Sequence, residues 1–127
     1  MDAPDNAKML IYVVDDEPML LELAATVLQP SGYEVKTFID PTAALKAFAA
    51  ATVRPDLIIT DYAMHSMNGL ELVRECKRIH PQQKILMVSG TVDEAIYRHG
   101  PVRPDRFLAK PYQSKQLLEL VAAVLSA

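Results

Sequence analysis

Three carboxylates stand directly after apolar runs of the chain. Asp15 and Asp16 follow the run at 9–14, and Asp61 follows the run at 57–60. Brought together they would repel, because two full charges about 5 Å apart cost ~3 kcal/mol at an effective dielectric of about 20. A hard cation removes that cost, and Mg²⁺ uses one or two carboxylates together with waters and phosphate oxygens. If the runs are neighbouring strands, these residues predict a magnesium site.

A hydroxyl and an amine stand at two further run ends. Ser89 follows the run at 85–88, and Lys110 follows the run at 107–109. Beside bound Mg²⁺ a carboxylate can attack phosphorus to form an acyl phosphate, and Asp61 is the best candidate because the other two carboxylates form a pair. Such a transfer needs mainly positioning and charge neutralisation. Lys110 could pair with one phosphoryl oxygen, and Ser89 could donate a hydrogen bond to another.

The alternation of strand-like and helix-like segments predicts how these residues are positioned. Apolar runs predict strands at 9–14, 33–39, 57–60, 84–88 and 106–109, the second nearer an edge because it alternates. Helical spacing predicts helices at 18–28, 40–51, 70–79, 92–99 and 114–125, the last capped by Ser114. Five strand-then-helix repeats predict an α/β fold, a doubly wound five-stranded parallel sheet with helices on both faces. Ligands of such sheets bind outside the carboxyl ends of the strands, where the polar residues lie.

Composition narrows the class of protein. The 127 residues suffice for one domain, expected at 9–127 after a polar tail at 1–8. A net charge of −3 without a basic stripe argues against nucleic-acid binding. Cys76 is the only cysteine, so buried packing is expected for it and a reducing compartment for the protein. No apolar stretch reaches the ~18 residues of a spanning helix, so a cytoplasmic protein without membrane contact is expected.

Four spaced motifs carry a resemblance to a known family. They are Val-Val-Asp-Asp-Glu-Pro at 13–18, Asp-Tyr-Ala-Met at 61–64 with Gly69 eight residues beyond the aspartate, Met-Val-Ser-Gly at 87–90 and Phe-Leu-Ala-Lys-Pro at 107–111. In this order and spacing they resemble the receiver domain of bacterial two-component response regulators, over nearly the whole chain. The resemblance implies a flavodoxin-like receiver fold. It also implies a signalling protein that is no enzyme beyond catalysing its own phosphorylation and dephosphorylation.

The resemblance assigns roles in a phosphoryl transfer. Asp61 would be the phosphoacceptor, loaded from a phosphohistidine on a partner histidine kinase or histidine phosphotransfer protein. Asp16 and Asp61 would bind Mg²⁺ directly together with the backbone carbonyl of Ala63, and Asp15 would act largely through water. The signal would pass to a downstream protein or a fused output domain, and a phosphorylation-dependent dimer is a further expectation.

The resemblance also implies a conformational switch. Ser89 and Phe107 would form the switch pair, in which the hydroxyl moves to the phosphoryl group and the ring turns inward behind it. Phe107 could instead be an ordinary core residue. Lys110 would pair with the phosphoryl group, and the peptide bond between Lys110 and Pro111 would be cis, which suits a tight functional turn.

Two segments depart from the family pattern. His65 stands where family members commonly have proline, close enough to the pocket to influence the phosphoryl lifetime. His65, His80 and His99 show no zinc spacing and are expected at the surface. Residues 91–105 contain two prolines within four residues of each other, at 101 and 104, which predicts a short or mobile helix at 92–99 and an unusual output.

Alternatives remain for the first helix and for the function. The helix at 18–28 is richer in apolar residues than one buried stripe requires, so it is either deeply packed or docks a phosphotransfer partner with its outer side. The chain could be a non-phosphorylated receiver that serves as a docking or dimerisation module, although its intact acidic residues and lysine count against this. A phosphatase of the haloacid dehalogenase type would carry an acid two residues after its nucleophile, where this chain has Ala63.

Overall fold

The computed structural model describes residues 8–90 and 102–127, which contain a five-stranded parallel sheet of order β2-β1-β3-β4-β5. The strands are β1 (Leu10–Val14), β2 (Glu34–Phe38), β3 (Leu57–Asp61), β4 (Ile85–Ser89) and β5 (Arg106–Ala109). The helices of the described residues are α1 (Pro18–Leu28), α2 (Pro41–Ala50), α3 (Gly69–Ile79) and α4 (Ser114–Ser126), with a short 3₁₀ helix (Gln29–Ser31) after α1. The predicted α/β fold is confirmed. The helix predicted at 92–99 lies outside the described residues.

The core lies in two layers, one on each face of the sheet. β1, β3 and β4 are buried along their whole length, as central strands of a parallel sheet are. One layer joins the sheet to α1 and α4 through Ile11, Val13, Leu21, Ala24, Leu28, Leu57, Ile59, Leu86, Val88, Leu117, Val121 and Val124. The other joins it to α2 and α3 through Leu10, Tyr12, Val14, Ala44, Phe48, Ile58, Leu72, Val73, Cys76, Ile85 and Met87. Successive strand residues point to opposite faces, so each central strand supplies both layers.

Buried packing of Cys76 and the edge position of β2 were both predicted, and both are confirmed. Cys76 is 1% exposed, and burial raises the pKa of its thiol to about 12. No residue of β2 is fully buried, and the strand pairs with β1 at one end of the sheet. A thiol with such a high pKa stays protonated at neutral pH, which makes it a packing residue.

Side chains that satisfy free backbone N–H groups define where two helices begin. The Asp40 carboxylate accepts hydrogen bonds from the backbone N–H (3.0 Å) and the hydroxyl (2.8 Å) of Thr42, which starts α2 as its sequence predicted. These bonds and one from Ser66 lower the pKa of Asp40. At α3, Asn68 and Glu71 form a reciprocal capping box, with bonds of 2.8 and 2.9 Å.

The predicted cap of the last helix is wrong by one position. Ser114 is the first helical residue of α4, and Gln113 is its N-cap in an extended conformation. Gln113 and Gln116 form a reciprocal capping box, in which the backbone N–H of Gln113 donates to Gln116 Oε1 at 2.7 Å. The two glutamines satisfy backbone groups that the Ser114 hydroxyl was expected to satisfy, so the helix begins where they pair.

Helix α1 buries one stripe and exposes apolar side chains on its outer side. Leu21, Ala24 and Leu28 face the sheet, while Met19 is 83% and Leu23 is 47% exposed. Of the two alternatives for this helix, deep packing is therefore excluded, because α1 lies on the outside of a two-layer core and only positions three to four residues apart reach the sheet. None of the described helices is long and apolar enough to span a bilayer.

The strand order places the ends of β1 and β3 at the point where the chain reverses its winding direction. From β1 the chain first goes outward to β2, and then returns across β1 to β3, β4 and β5. Loops that leave the two strands at this point diverge to opposite sides of the sheet and leave a crevice between them. The residues that follow β1 and end β3 therefore line a crevice at the carboxyl edge.

Candidate functional site

Three carboxylates converge at the carboxyl edge of the sheet. Val14 is paired with Thr60 in the register of β1 and β3, so the next residues, Asp15 and Asp61, end adjacent strands. One oxygen of each of Asp15, Asp16 and Asp61 lies within 4.8 Å of the other two. Asp15 and Asp61 are only 6% and 8% exposed, so solvent screens their repulsion poorly. These three carboxylates form an acidic pocket.

Lys110 bridges two of the carboxylates. Its Nζ lies 3.3 Å from Asp15 Oδ2 and 3.3 Å from Asp61 Oδ2. The backbone N–H of Lys110 donates to the carbonyl of Ser89 at 3.0 Å, which continues the pairing of β5 with β4, and the Lys110–Pro111 peptide bond is cis. Burial lowers the pKa of the Lys110 ammonium, but the charges of both aspartates outweigh burial and the net pKa is raised. The ammonium is therefore charged at neutral pH.

Backbone groups hold the other oxygens of the two bridged carboxylates. The N–H of Glu17 donates to Asp15 Oδ1 at 3.0 Å, and the N–H of Tyr62 donates to Asp61 Oδ1 at 2.9 Å. Burial raises the pKa of the Asp61 carboxyl, and the charge of Asp15 adds to the rise, although Lys110 opposes it. One ammonium thus faces more negative charge than it neutralises, and the acidic pocket attracts a further cation.

The acidic pocket fits a hard divalent cation. Its donors are carboxylate oxygens, which Mg²⁺ prefers, and the group includes no thiolate. Asp15, Asp16 and Asp61 could each supply one oxygen to such an ion. Ala63, whose backbone carbonyl is a further predicted ligand, lies on the exposed loop that follows β3. Mg²⁺ would cancel the mutual repulsion that burial makes costly.

Gly69 allows the loop after β3 to fold back against the strand end. Its N–H donates to the carbonyl of Tyr62 at 2.8 Å. A Cβ at Gly69 would collide with the backbone oxygen of Asp61 and would lie 2.9 Å from Cα of Tyr62. The glycine eight residues after Asp61 is therefore required by close backbone approach, which holds the start of α3 against the end of β3. The spacing was noted in the sequence, but its reason lies in this contact.

Ser89 and Phe107, the predicted switch pair, lie on the two neighbouring strands β4 and β5. Ser89 ends β4 at 2% exposure and is paired with Ala109, immediately before Lys110. Since β4 lies between β3 and β5, Ser89 is one strand away from Asp61. Phe107 is half-buried and packs against the core layer of α2 and α3. The Ser89 hydroxyl is thus at the carboxyl edge of the sheet, whereas Phe107 lies two residues before the end of β5.

The sequence placed His65 close to the pocket but did not predict its partner, and it did not predict the place of Tyr112. His65 Nδ1 lies 2.8 Å from Asp16 Oδ2, with an imidazole that is 93% exposed. The signal for this pair was the histidine itself, four residues after Asp61, where the family pattern has proline. Tyr112 lines an apolar cavity with Lys110, Leu20, Leu23 and Pro111. Burial raises the pKa of the Tyr112 phenol, and its signal in the sequence was an aromatic residue two positions after the lysine.

Comparisons with known proteins by sequence and by structure point to one family. Residues 11–122 match the family model described as "Response regulator receiver domain". The chain is 34% identical over 119 residues to the nitrogen assimilation regulatory protein NtrX of Azorhizobium caulinodans. This match covers 91% of this chain and 26% of that protein. The chain spans between 12% and 52% of the length of the first curated relatives that it matches.

Two solved structures share both the fold and a substantial part of the sequence. The chemotaxis protein CheY4 of Vibrio cholerae superposes with a TM-score of 0.84 at 30% identity, over 93% of this chain and 99% of that one. The response regulator TrrA of Thermotoga maritima, solved in complex with Mg²⁺-BeF, superposes with a TM-score of 0.78 at 31% identity, over 91% of this chain and 98% of that one. The chain therefore belongs to the response regulator receiver domains, the signalling domains of two-component systems.

Proposed function

We propose that the chain is a phosphorylation-operated switch in which Asp61 accepts a phosphoryl group in a Mg²⁺-dependent reaction. The observation that carries the proposal is the buried Asp61 carboxylate, which lies among two further carboxylates and 3.3 Å from the ammonium of Lys110. Membership of the receiver family supports it, as does the Mg²⁺-BeF complex of TrrA. Residues 9–127 would act as one receiver domain.

The donor is a phosphohistidine on a histidine kinase or histidine phosphotransfer protein. An oxygen of Asp61 forms a bond to phosphorus while the bond from phosphorus to the donor imidazole nitrogen breaks, and that nitrogen keeps the electron pair. Asp15, Asp16, Asp61 and the carbonyl of Ala63 would hold Mg²⁺, which supplies charge neutralisation for the phosphoryl oxygens. Lys110 exchanges part of its contact with Asp61 for a phosphoryl oxygen.

The signal leaves the site through Ser89 and Phe107. The Ser89 hydroxyl donates a hydrogen bond to a phosphoryl oxygen, and the half-buried Phe107 ring turns further inward. Phosphorylation then shifts a pre-existing equilibrium between two arrangements of this surface, which a downstream protein, a fused output domain or a second copy of the chain reads. The exposed Met19 and Leu23 on the outer side of α1 offer an apolar surface for docking the phosphoryl donor.

Intact mass spectrometry with a small-molecule phosphodonor tests the proposal. Acetyl phosphate with Mg²⁺ should add one phosphoryl group to the wild type, and chelation of the metal should prevent the addition. Asp61→Asn should take up none. Asp56→Asn is the matched control, since Asp56 lies just before the opposite end of the same strand and should leave uptake unchanged.

Absence of uptake by the wild type, or equal uptake by Asp61→Asn, would overturn the proposal. A wild type that takes up nothing and binds no Mg²⁺ would favour the non-phosphorylated docking module instead. Turnover of a small phosphate ester by the chain would point to a phosphatase.

A further inference from the structure

His65 stands at the rim of the acidic pocket on a loop that the fold holds in place. The loop connects β3 to α3, and His65 Nδ1 lies 2.8 Å from Asp16 Oδ2. The neighbouring Ser66 hydroxyl donates to Asp40 Oδ1 at 3.0 Å, which ties the loop to the start of α2. Asn68 anchors the other end of the loop by capping α3. The fold therefore holds the loop that carries His65 beside Asp16.

The distance between the two atoms of this contact matches the distance between neighbouring ligand atoms of one metal ion. In an octahedral shell with bonds of about 2.1 Å, adjacent ligand atoms lie about 3.0 Å apart. The 2.8 Å between His65 Nδ1 and Asp16 Oδ2 is close to that spacing. An ion can therefore take the place of the proton that joins the two groups. The imidazole is 93% exposed, so it can turn towards an ion at little cost in desolvation.

An imidazole changes which cations such a site selects. Carboxylate oxygens alone suit Mg²⁺, which is reluctant to lose its waters and gains little from nitrogen donors. Imidazole nitrogen suits Co²⁺, Ni²⁺, Cu²⁺ and Zn²⁺, whose affinities for mixed nitrogen and oxygen sites exceed that of Mn²⁺. The Asp16 and His65 pair supplies one donor of each kind at the edge of the acidic pocket. The compact group of three carboxylates does not include His65, so the ion it binds lies at the rim.

We propose that His65 is a direct ligand for imidazole-binding divalent cations such as Co²⁺, Ni²⁺ and Zn²⁺, and that it holds them together with Asp16. This inference deepens the proposed metal site and rests on the assignment of Asp16 as a metal ligand. Mg²⁺ uses the carboxylates without the imidazole. His65 thereby determines which cations compete with Mg²⁺ for Asp16.

Isothermal titration of Mg²⁺ and Co²⁺ into the whole chain tests the role of His65. Loss of a group that merely supports a metal ligand already costs about 10–100-fold in affinity, so His65→Ala should lower Co²⁺ affinity at least about tenfold. His65→Gln should do the same, although its amide can still donate a hydrogen bond to Asp16. Mg²⁺ affinity should stay within about threefold in both variants. Asp16→Asn should weaken both cations.

A matched control and a second readout identify the ligand. His80→Ala should leave Co²⁺ affinity unchanged, because His80 caps the far end of α3 and lines a polar cavity with Met9 and Lys84 near the amino ends of the strands. In NMR spectra, substoichiometric Co²⁺ should broaden the imidazole resonances of His65 before those of His80. Equal Co²⁺ affinity of the wild type and His65→Ala, or a parallel loss for Mg²⁺ and Co²⁺, would overturn the inference.

Failure of this inference is distinguishable from failure of the proposed function. A wild type that binds Mg²⁺ and takes up a phosphoryl group, but whose Co²⁺ affinity does not depend on His65, would refute the His65 ligand alone. A wild type that neither binds Mg²⁺ nor takes up a phosphoryl group would refute the proposed function, while a Co²⁺ affinity lost in His65→Ala would still support the ligand.

Discussion

Carboxylates occupy both ends of the sheet, and their partners differ. At the amino end, Asp56 Oδ2 accepts from the backbone N–H of Leu10 at 2.8 Å, and Asp105 Oδ2 accepts from that of Ile85 at 2.8 Å. At the carboxyl end, three carboxylates face one another within 4.8 Å. A carboxylate bonded to the backbone of a neighbouring strand stabilises the fold. Carboxylates that face each other store repulsion, which a cation or a reaction can relieve.

A repeated sequence produces the two amino-end contacts. Val-Arg-Pro-Asp occurs at 53–56 before β3 and at 102–105 before β5. In each repeat the aspartate also donates its own N–H to the same neighbouring residue, at 2.8 Å to Leu10 and 2.9 Å to Ile85. Lys77 Nζ adds an ion pair to Asp105 at 2.9 Å, as Lys110 does at the other end. The same residue types thus stabilise strand pairing at one end of the sheet and form the acidic pocket at the other.

The largest effect is expected where a lysine compensates two buried carboxylates. Lys110→Met should lower the free energy of unfolding of the metal-free protein by about 3 kcal/mol, because it leaves Asp15 and Asp61 without their shared partner. Mg²⁺ should restore part of the loss. Urea unfolding with and without Mg²⁺ measures both effects. Lys77→Met is the matched control at the amino end of the sheet. If Mg²⁺ restored as much of its free energy of unfolding as it restores for Lys110→Met, the two ends would not differ in cation binding.

Asp105→Ala should have the next largest effect. The substitution removes the acceptor of the backbone N–H of Ile85, a fully buried residue. It also removes the carboxylate that pairs with Lys77. An unpaired buried donor costs about 1–3 kcal/mol, so we expect a loss of about 2 kcal/mol in urea unfolding. Phosphoryl uptake from acetyl phosphate should be unchanged under conditions where the variant is folded. Reduced uptake by the folded variant would show that the amino end also serves the chemistry.

Asp56→Ala should cost less, about 1 kcal/mol, because its carboxylate supports the Leu10 N–H without a lysine comparable to Lys77 in the described contacts. Thermal unfolding of the two alanine variants side by side ranks them. A larger loss for Asp56→Ala than for Asp105→Ala would contradict the added contribution of the lysine.

The smallest effect has the opposite sign and depends on pH. Burial raises the pKa of Asp61 in the folded chain, so the ionised carboxylate favours the unfolded state. This group stabilises the fold below its unfolded pKa of about 4, and the stability is lost as pH rises through the folded pKa. Asp61→Asn should therefore unfold at a higher temperature than the wild type at pH 7, and the difference should shrink towards pH 4. Asp56→Asn should show no rise in unfolding temperature. Equal rises for the two variants would mean that burial of the ionised Asp61 carboxylate does not destabilise the fold.

Most of the fold could be predicted because its signals are local. The helix start at Asp40 and the buried run of β1 each depend on a few consecutive residues. The cap of α4 was missed because Gln113 and Gln116 satisfy it reciprocally, which competes with the ordinary preference for Ser114. The depth of α1 was left open because an apolar helix has the same composition whether its outer side is covered or exposed.

The sequence by itself determined that carboxylates, a hydroxyl and a lysine stand at the ends of four of the five strands, since strand ends and parallel topology follow from apolar runs and helical spacing along the chain. Only the tertiary structure decided which of them touch. Lys110 meets Asp15 across 95 residues of sequence, and Asp56 reaches Leu10 across 46. The strand order, the approach of Gly69 to Asp61 and the placement of His65 beside Asp16 set these contacts, because they depend on distances between segments that no local pattern encodes.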